Sequence, residues 1–110
     1  MIKDTLSKIE SAIAKVQAGS SPEKAELAAL LIKLKSELAS LPPSRIDDVR
    51  SVGYFTEAAA HEVTRTNSSV QLKNLSISGI AYAVKGFEVS HPGLVSVVNE
   101  ICMVLARMGI

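Results

Sequence analysis

The sequence predicts an all-α fold, a single domain over residues 1–110 arranged as an antiparallel bundle of four to five helices. Three observations lead there. In three separate segments the large apolar residues recur at steps of four and three, which gathers them on one stripe of a helix. Gly, Pro and Ser stand between segments where helices stop and start. The one ambiguous stretch, Val70 to Val89, runs about 20 residues without a turn signal, which is long for a strand.

The first segment places Ile2, Leu6, Ile9, Ile13 and Val16 on one stripe, with Asp4 and Lys8 ordered for an i,i+4 pair. Gly19 then stands where a left-handed residue commonly ends a helix. Ser21 before Pro22, with Glu23 in the first turn, starts a second helix running from about Pro22 to Ser40. Its stripe is Leu27, Leu31, Leu34, Leu38 and Leu41, widened by Ala28 and Leu30. So short a link folds the two helices into an N-terminal hairpin over residues 1–41. Pro42-Pro43 closes it.

A middle helix follows within residues 44–67, with Ser44 as its cap and Asp47 and Asp48 in its first turn. Ile46, Val49, Val52, Phe55, Ala59 and Val63 drift around it. Gly53, costing about 1 kcal/mol relative to Ala, predicts a break or kink there. Thr66-Asn67-Ser68-Ser69 is a polar stop and restart.

Residues 70–110 then read as a C-terminal helix pair. Alternation in Val70, Leu72, Leu75 and Ile77 suits a short strand; Ile77, Ile80, Val84 and Phe87 fit a helical stripe, and length favours the helix. A second, smaller stripe of Leu72, Gly79, Ala83 and Gly86 would admit another helix closely. Pro92 ends this helix and starts the next, capped by Ser90 or His91. The last helix carries Leu94, Val98, Ile101, Leu105 and Met108, with Val95, Val97, Cys102 and Val104 covering much of the rest. Such a helix is expected to be buried, with Gly109-Ile110 as its C-cap. The three heptad-like seams imply crossings near +20°.

Composition narrows the function classes. Of 110 residues, 47% are apolar but only 4% aromatic, and Lys+Arg exceed Asp+Glu by 12 to 11. A net charge of +1 argues against a dedicated nucleic-acid surface. A single cysteine, Cys102, allows neither an internal disulfide nor a thiolate zinc cage. No apolar run reaches the roughly 18 residues of a membrane span, and Met1-Ile2-Lys3-Asp4 does not open an export signal. The expectation is a cytoplasmic protein.

From Gly79 onward the run Gly79-Ile80-x-x-Ala83-Val84-x-x-Phe87-Glu88-x-Ser90-His91-Pro92-x-Leu94, then Ile101 and Leu105-x-x-Met108-Gly109-Ile110, resembles a family of short bacterial helical proteins of unknown function. The resemblance covers the last third closely and the first 40 residues in general pattern. Arg45 to Asn67 finds no counterpart in it. It implies helices on both sides of His91-Pro92 and brings no established activity.

Three motifs merit a chemical reading beside a structural one. Glu88-Val89-Ser90-His91 has the Glu-x-x-His spacing of bundle metal sites. The remaining ligands have no source in the chain, and a helix junction explains the motif better. His61-Glu62 resembles the phospho-accepting box of sensor kinases, and Tyr82-Ala83-Val84-Lys85-Gly86 the His-x-x-Lys-Gly of phosphotransfer domains, with tyrosine where the nucleophile belongs. A surface histidine paired i,i+4 with Glu57 accounts for His61. Cys102 reads as a small core residue.

No nucleophile, base and oxyanion site assemble. The sequence therefore predicts no enzyme, no cofactor and no metal. The leading expectation is a non-enzymatic helical interaction module that homodimerises and binds an unknown protein partner. The alternatives are a phosphotransfer-like bundle using His61 and a metal-binding bundle using Glu88, His91 and His61.

Overall fold

The computed structural model describes residues 2–19 and 21–108, and within them it has five α-helices and no strand. These are α1 (Ile2–Gln17), α2 (Pro22–Ala39), α3 (Ile46–Thr64), α4 (Val70–Ala83) and α5 (Pro92–Arg107), with 3-10 turns at Pro43–Arg45 and Lys85–Phe87. The all-α bundle expected from the sequence is the observed architecture, and the ambiguous stretch after Ser69 is helix throughout its first half.

Local chemistry explains most boundaries. Ser21 caps α2, its Oγ accepting the Lys24 N–H at 3.2 Å, with Pro22 in the first turn. Ser69 does the same for α4, accepting from Leu72 N–H at 3.1 Å. His91 occupies the N-cap of α5 ahead of Pro92 without a side-chain cap bond.

Four local expectations are corrected. Ser44 lies inside a 3-10 turn, and Arg45, not Ser44, stands at the N-cap of α3. Gly19 adopts no left-handed φ; the Lys24 side chain lies across its bare Cα instead. α3 runs without interruption through Gly53. The helix after Ser69 ends at Ala83 and gives way to a 3-10 turn that buries Phe87. The proposed C-cap at Gly109-Ile110 lies outside the described residues.

The helices alternate up and down yet do not pack in chain order. α2 packs on α1, α1 on α3, α3 on α4, α4 on α5, and α5 returns to α2. Contacts between Thr5 and Gly53 and between Lys8 and Glu57 advance together along both chains, so α1 and α3 are parallel neighbours. Arg107 meets Glu26 while Gly93 meets Glu37, which sets α5 antiparallel to α2. The result is a ring of five helices measuring 37 × 22 × 20 Å.

The interior of this ring is aliphatic. All five leucines of the α2 stripe are buried, joined by Val49, Val52, Ile80, Phe87, Leu94, Val98, Ile101 and Leu105. α1 faces two neighbours, so its buried line is Thr5, Ile9, Ala12 and Val16, while Ile2, Leu6 and Ile13 are only partly covered. α5 is not buried all round: Met103 is exposed, and Val95, Val97 and Cys102 are partly so. With only α2 and α4 as its main helical neighbours, one side of α5 stays in solvent.

Two buried positions make stability predictions. A Cβ on Gly53 would stand 2.6 Å from the Thr5 methyl. Gly53→Ala should therefore cost about 1–3 kcal/mol through overpacking, against the gain in helix propensity. The double variant with Thr5→Ser, which removes that methyl, should recover most of the loss in urea unfolding. Thr56 is buried and its hydroxyl has no hydrogen-bond partner among the described residues. Thr56→Val should raise stability by about 1 kcal/mol or more, because it removes an unsatisfied polar atom at nearly constant shape.

Candidate interaction surface

α4 has the sequence Val70-Gln71-Leu72-Lys73-Asn74-Leu75-Ser76-Ile77-Ser78-Gly79-Ile80-Ala81-Tyr82-Ala83, and Lys73 is its one formally charged side chain. That lysine points inward. Its Nζ donates to the Met108 carbonyl at 3.1 Å, where the negative end of α5 welcomes a cation. Ser76 is buried beside it and returns its hydroxyl to the Leu72 carbonyl at 2.8 Å. The outward side of α4 is thus free of charge.

It is also apolar. Leu72, Leu75, Gly79 and Tyr82 follow one another at steps of three, four and three, so they form a single stripe. Leu72 is 46% exposed, Leu75 64% and Tyr82 77%. Phe55 of α3, exposed at its rim, lays its ring on the bare Cα of Gly79. Any Cβ at position 79 would collide with that ring. The sequence set Phe55 among the apolar residues that drift around the middle helix and read the small residues of α4 as admitting another helix closely. The structure brings α3 there, with the Phe55 ring seated on Gly79, and leaves Leu72 and Leu75 exposed.

Along the C-terminal half of α4 the stripe opens into a cleft of about 750 Å³. Phe55, Gly79, Tyr82 and Ala83 line it, and Arg45 and Lys85 stand among its polar lining residues. Arg45 is fixed in place: its guanidinium lies over the Phe87 ring at 3.9 Å from the centroid, and Nε donates to Asp48 at 2.9 Å.

The residues singled out in the sequence are scattered. His61 is exposed in the last turn of α3. Its expected partner Glu57 pairs with Lys8 of α1 instead, at 3.6 Å, and that same contact takes Lys8 away from Asp4. His91 stands at the other end of the bundle, its ring edge-on to Phe87 at 5.6 Å and Nδ1 3.0 Å from Ser90 Oγ. Its N–H donates to the Phe87 carbonyl at 2.8 Å, so His91 builds the junction. Glu88 is exposed there. Among the described residues, no group of three or more His, Cys, Asp or Glu side chains is placed to hold a metal ion. Cys102 is half-buried with its Sγ toward the Ile77 carbonyl, and burial pushes its thiol up.

Sequence reasoning passed over Glu62 as anything more than the neighbour of His61. It is buried at the end of α3, where Arg65 Nε donates to it at 2.8 Å and the Ser69 backbone N–H at 3.0 Å. It thereby ties the α3–α4 turn to both helices. Desolvation pushes its carboxyl up, but the Ser69 N–H, Arg65 and the charge of nearby His61 together outweigh this and hold it below its ordinary value. Among the described residues no helix is long and apolar enough to cross a membrane.

An all-α bundle of five helices that leaves an apolar stripe of α4 exposed, beside a cleft lined in part by Arg45, Asp48 and Lys85, is therefore the class of protein in hand. The chain belongs to the family described as "Domain of unknown function (DUF4404)", whose model matches residues 27–110. The match takes in residues 45–67, for which the resemblance offered no counterpart, and begins within α2. Comparison with the curated proteins and with the solved structures finds no match.

Glu62 makes a pH prediction. A carboxyl held below its unfolded value contributes stability that is present above the ordinary range and lost as pH falls through the folded value. Between about pH 5 and about pH 3, the urea midpoint of the wild type should fall more steeply than that of Glu62→Gln. Parallel curves would show that the carboxylate contributes nothing.

Proposed function

We propose that this protein is a non-enzymatic helical interaction module that homodimerises and works by binding another protein through the face shared by α3 and α4. The observation that carries the reading is the α4 stripe. A helix that buries its one charge and exposes Leu72, Leu75 and Tyr82 has the composition of an interface core, where charged residues are depleted and aromatics enriched. Contiguous apolar exposure of this kind on a small domain marks an interaction site more often than chance does.

The phosphotransfer and metal readings draw no comparable support. His61 and His91 stand at opposite ends of the bundle, so no one site holds both.

Light scattering across a micromolar concentration series tests the self-association. The expected result is a mass near twice 11.7 kDa that falls toward the monomer on dilution. A monomer at every concentration would remove the homodimer from the proposal.

A further inference from the structure

We infer that the cleft between α3 and α4 is a small-molecule site whose ligand is an organic acid, one carboxylate on a flat apolar body. This goes beyond the protein interaction proposed above and does not depend on the oligomeric state.

The cleft is graded from one end to the other. Phe55 sits on Gly79, whereas Arg45, ten positions earlier on the same side, lies against Gly86. The two walls therefore run antiparallel, and Arg45 and Lys85 gather at one end. The other end is walled by the Phe55 ring and the bare Cα of Gly79, and Tyr82 lines the stretch between. From Asp48 to Phe55 is two helical turns, roughly 10 Å, which is the length of a two-ring aromatic acid. The volume of about 750 Å³ falls within the roughly 300–1,000 Å³ typical of small-molecule sites.

The cationic end holds a pre-organised fork. The Arg45 guanidinium is stacked on Phe87, 3.9 Å from the ring centroid, and its Nε donates to Asp48 at 2.9 Å. Its Nη2 lies 3.4 Å from where a Cβ on Gly86 would stand. Among the described residues neither terminal NH2 group donates to an acceptor. A planar guanidinium fixed on one edge and unused on the other matches a carboxylate, which accepts two parallel N–H bonds. Little ordering remains to be done when the ligand arrives. Lys85 pairs with no carboxylate among the described residues, and its Nζ stands 5.8 Å from the Tyr82 ring centroid.

Charge selects the class of acid. Arg45 and Lys85 against Asp48 leave the cleft one positive charge. A single carboxylate balances it. A phosphate monoester, with about two negative charges at neutral pH, exceeds it and is repelled by Asp48.

The test titrates biphenylcarboxylate, its neutral carboxamide and biphenyl phosphate into the full chain, followed by backbone amide NMR shifts. The carboxylate should give saturable shifts centred on Gly79 and Gly86. The carboxamide should bind at least about 10-fold more weakly, because it loses the charge-assisted bonds. Arg45→Lys, which keeps the charge and removes the fork, should weaken the carboxylate by about 10-fold. Lys85→Met, at an exposed position, should weaken it by about 3-fold. Neither substitution should change carboxamide binding.

A carboxylate that shows no saturation below about 1 mM, or shifts centred on another face, would overturn the site. Equal binding of acid and amide would overturn the carboxylate assignment, as would tighter binding of the phosphate. Circular dichroism checks that each variant folds, and Lys85→Met decides the charge dependence even where Arg45→Lys unfolds.

Discussion

At Gly53 the α3 backbone comes so close to α1 that the Thr5 methyl occupies the space a side chain would need. This approach lets α1 lie parallel to α3 and insert itself between α2 and α3, which are neighbours in sequence. The Pro42-Pro43 connection and the 3-10 turn after it lead the chain past α1 before α3 begins. Once α1 is in place, α3 has α4 on its other side, and α5 closes the ring on α2. Each helix therefore has two principal partners. Those of α2 cover its whole leucine stripe, whereas those of α4 bury only Lys73, Ser76 and Ile80.

How much of this was legible in the sequence depended on the range of the interaction involved. Ser21-Pro22, Pro42-Pro43, Ser69 and Pro92 act within one turn, and each marks a real boundary. The α2 and α5 stripes were legible because five evenly spaced large residues outweigh their neighbours. Helix α1 shows where periodicity stops: its five large residues do form a stripe, but two neighbours pull the buried line round to Thr5 and Ala12. Spacing says that a helix has an apolar side. It cannot say how many partners share that side. Likewise Gly53 reads as a weakness by propensity, and becomes a contact only when Thr5, 48 positions earlier, is brought against it.

The candidate site was half visible for the same reason. The sequence offered α4 two stripes, one through Ile80, Val84 and Phe87 and one through Leu72 and Gly79. The first is the core stripe. Nothing local distinguishes them, because both are apolar. What decides is Lys73, whose amine must find an acceptor if it is buried, and finds one at the end of α5. That contact is 35 residues long and has no signature in the sequence. His61-Glu62 illustrates the opposite case. Attention falls on the histidine because its chemistry is versatile, yet the histidine faces water, and the glutamate beside it does the structural work by holding Arg65 and the Ser69 N–H.

The same geometry connects the fold to the proposed function. A ring of five helices can close with every helix amphipathic, and in that case all outward faces would carry charge, as those of α1 and α2 do. α4 departs from this pattern in both directions, with its lysine inside and its leucines outside. Turning the helix to hide Leu72 and Leu75 would withdraw Lys73 from the Met108 carbonyl and lift Ile80 out of the core. The packing on the inner side thus holds the apolar stripe outward. Phe55 on Gly79 then prevents the stripe from being covered by α3, since it fills the approach with a ring that is itself part of the surface. The exposed face therefore follows from the way the core is closed.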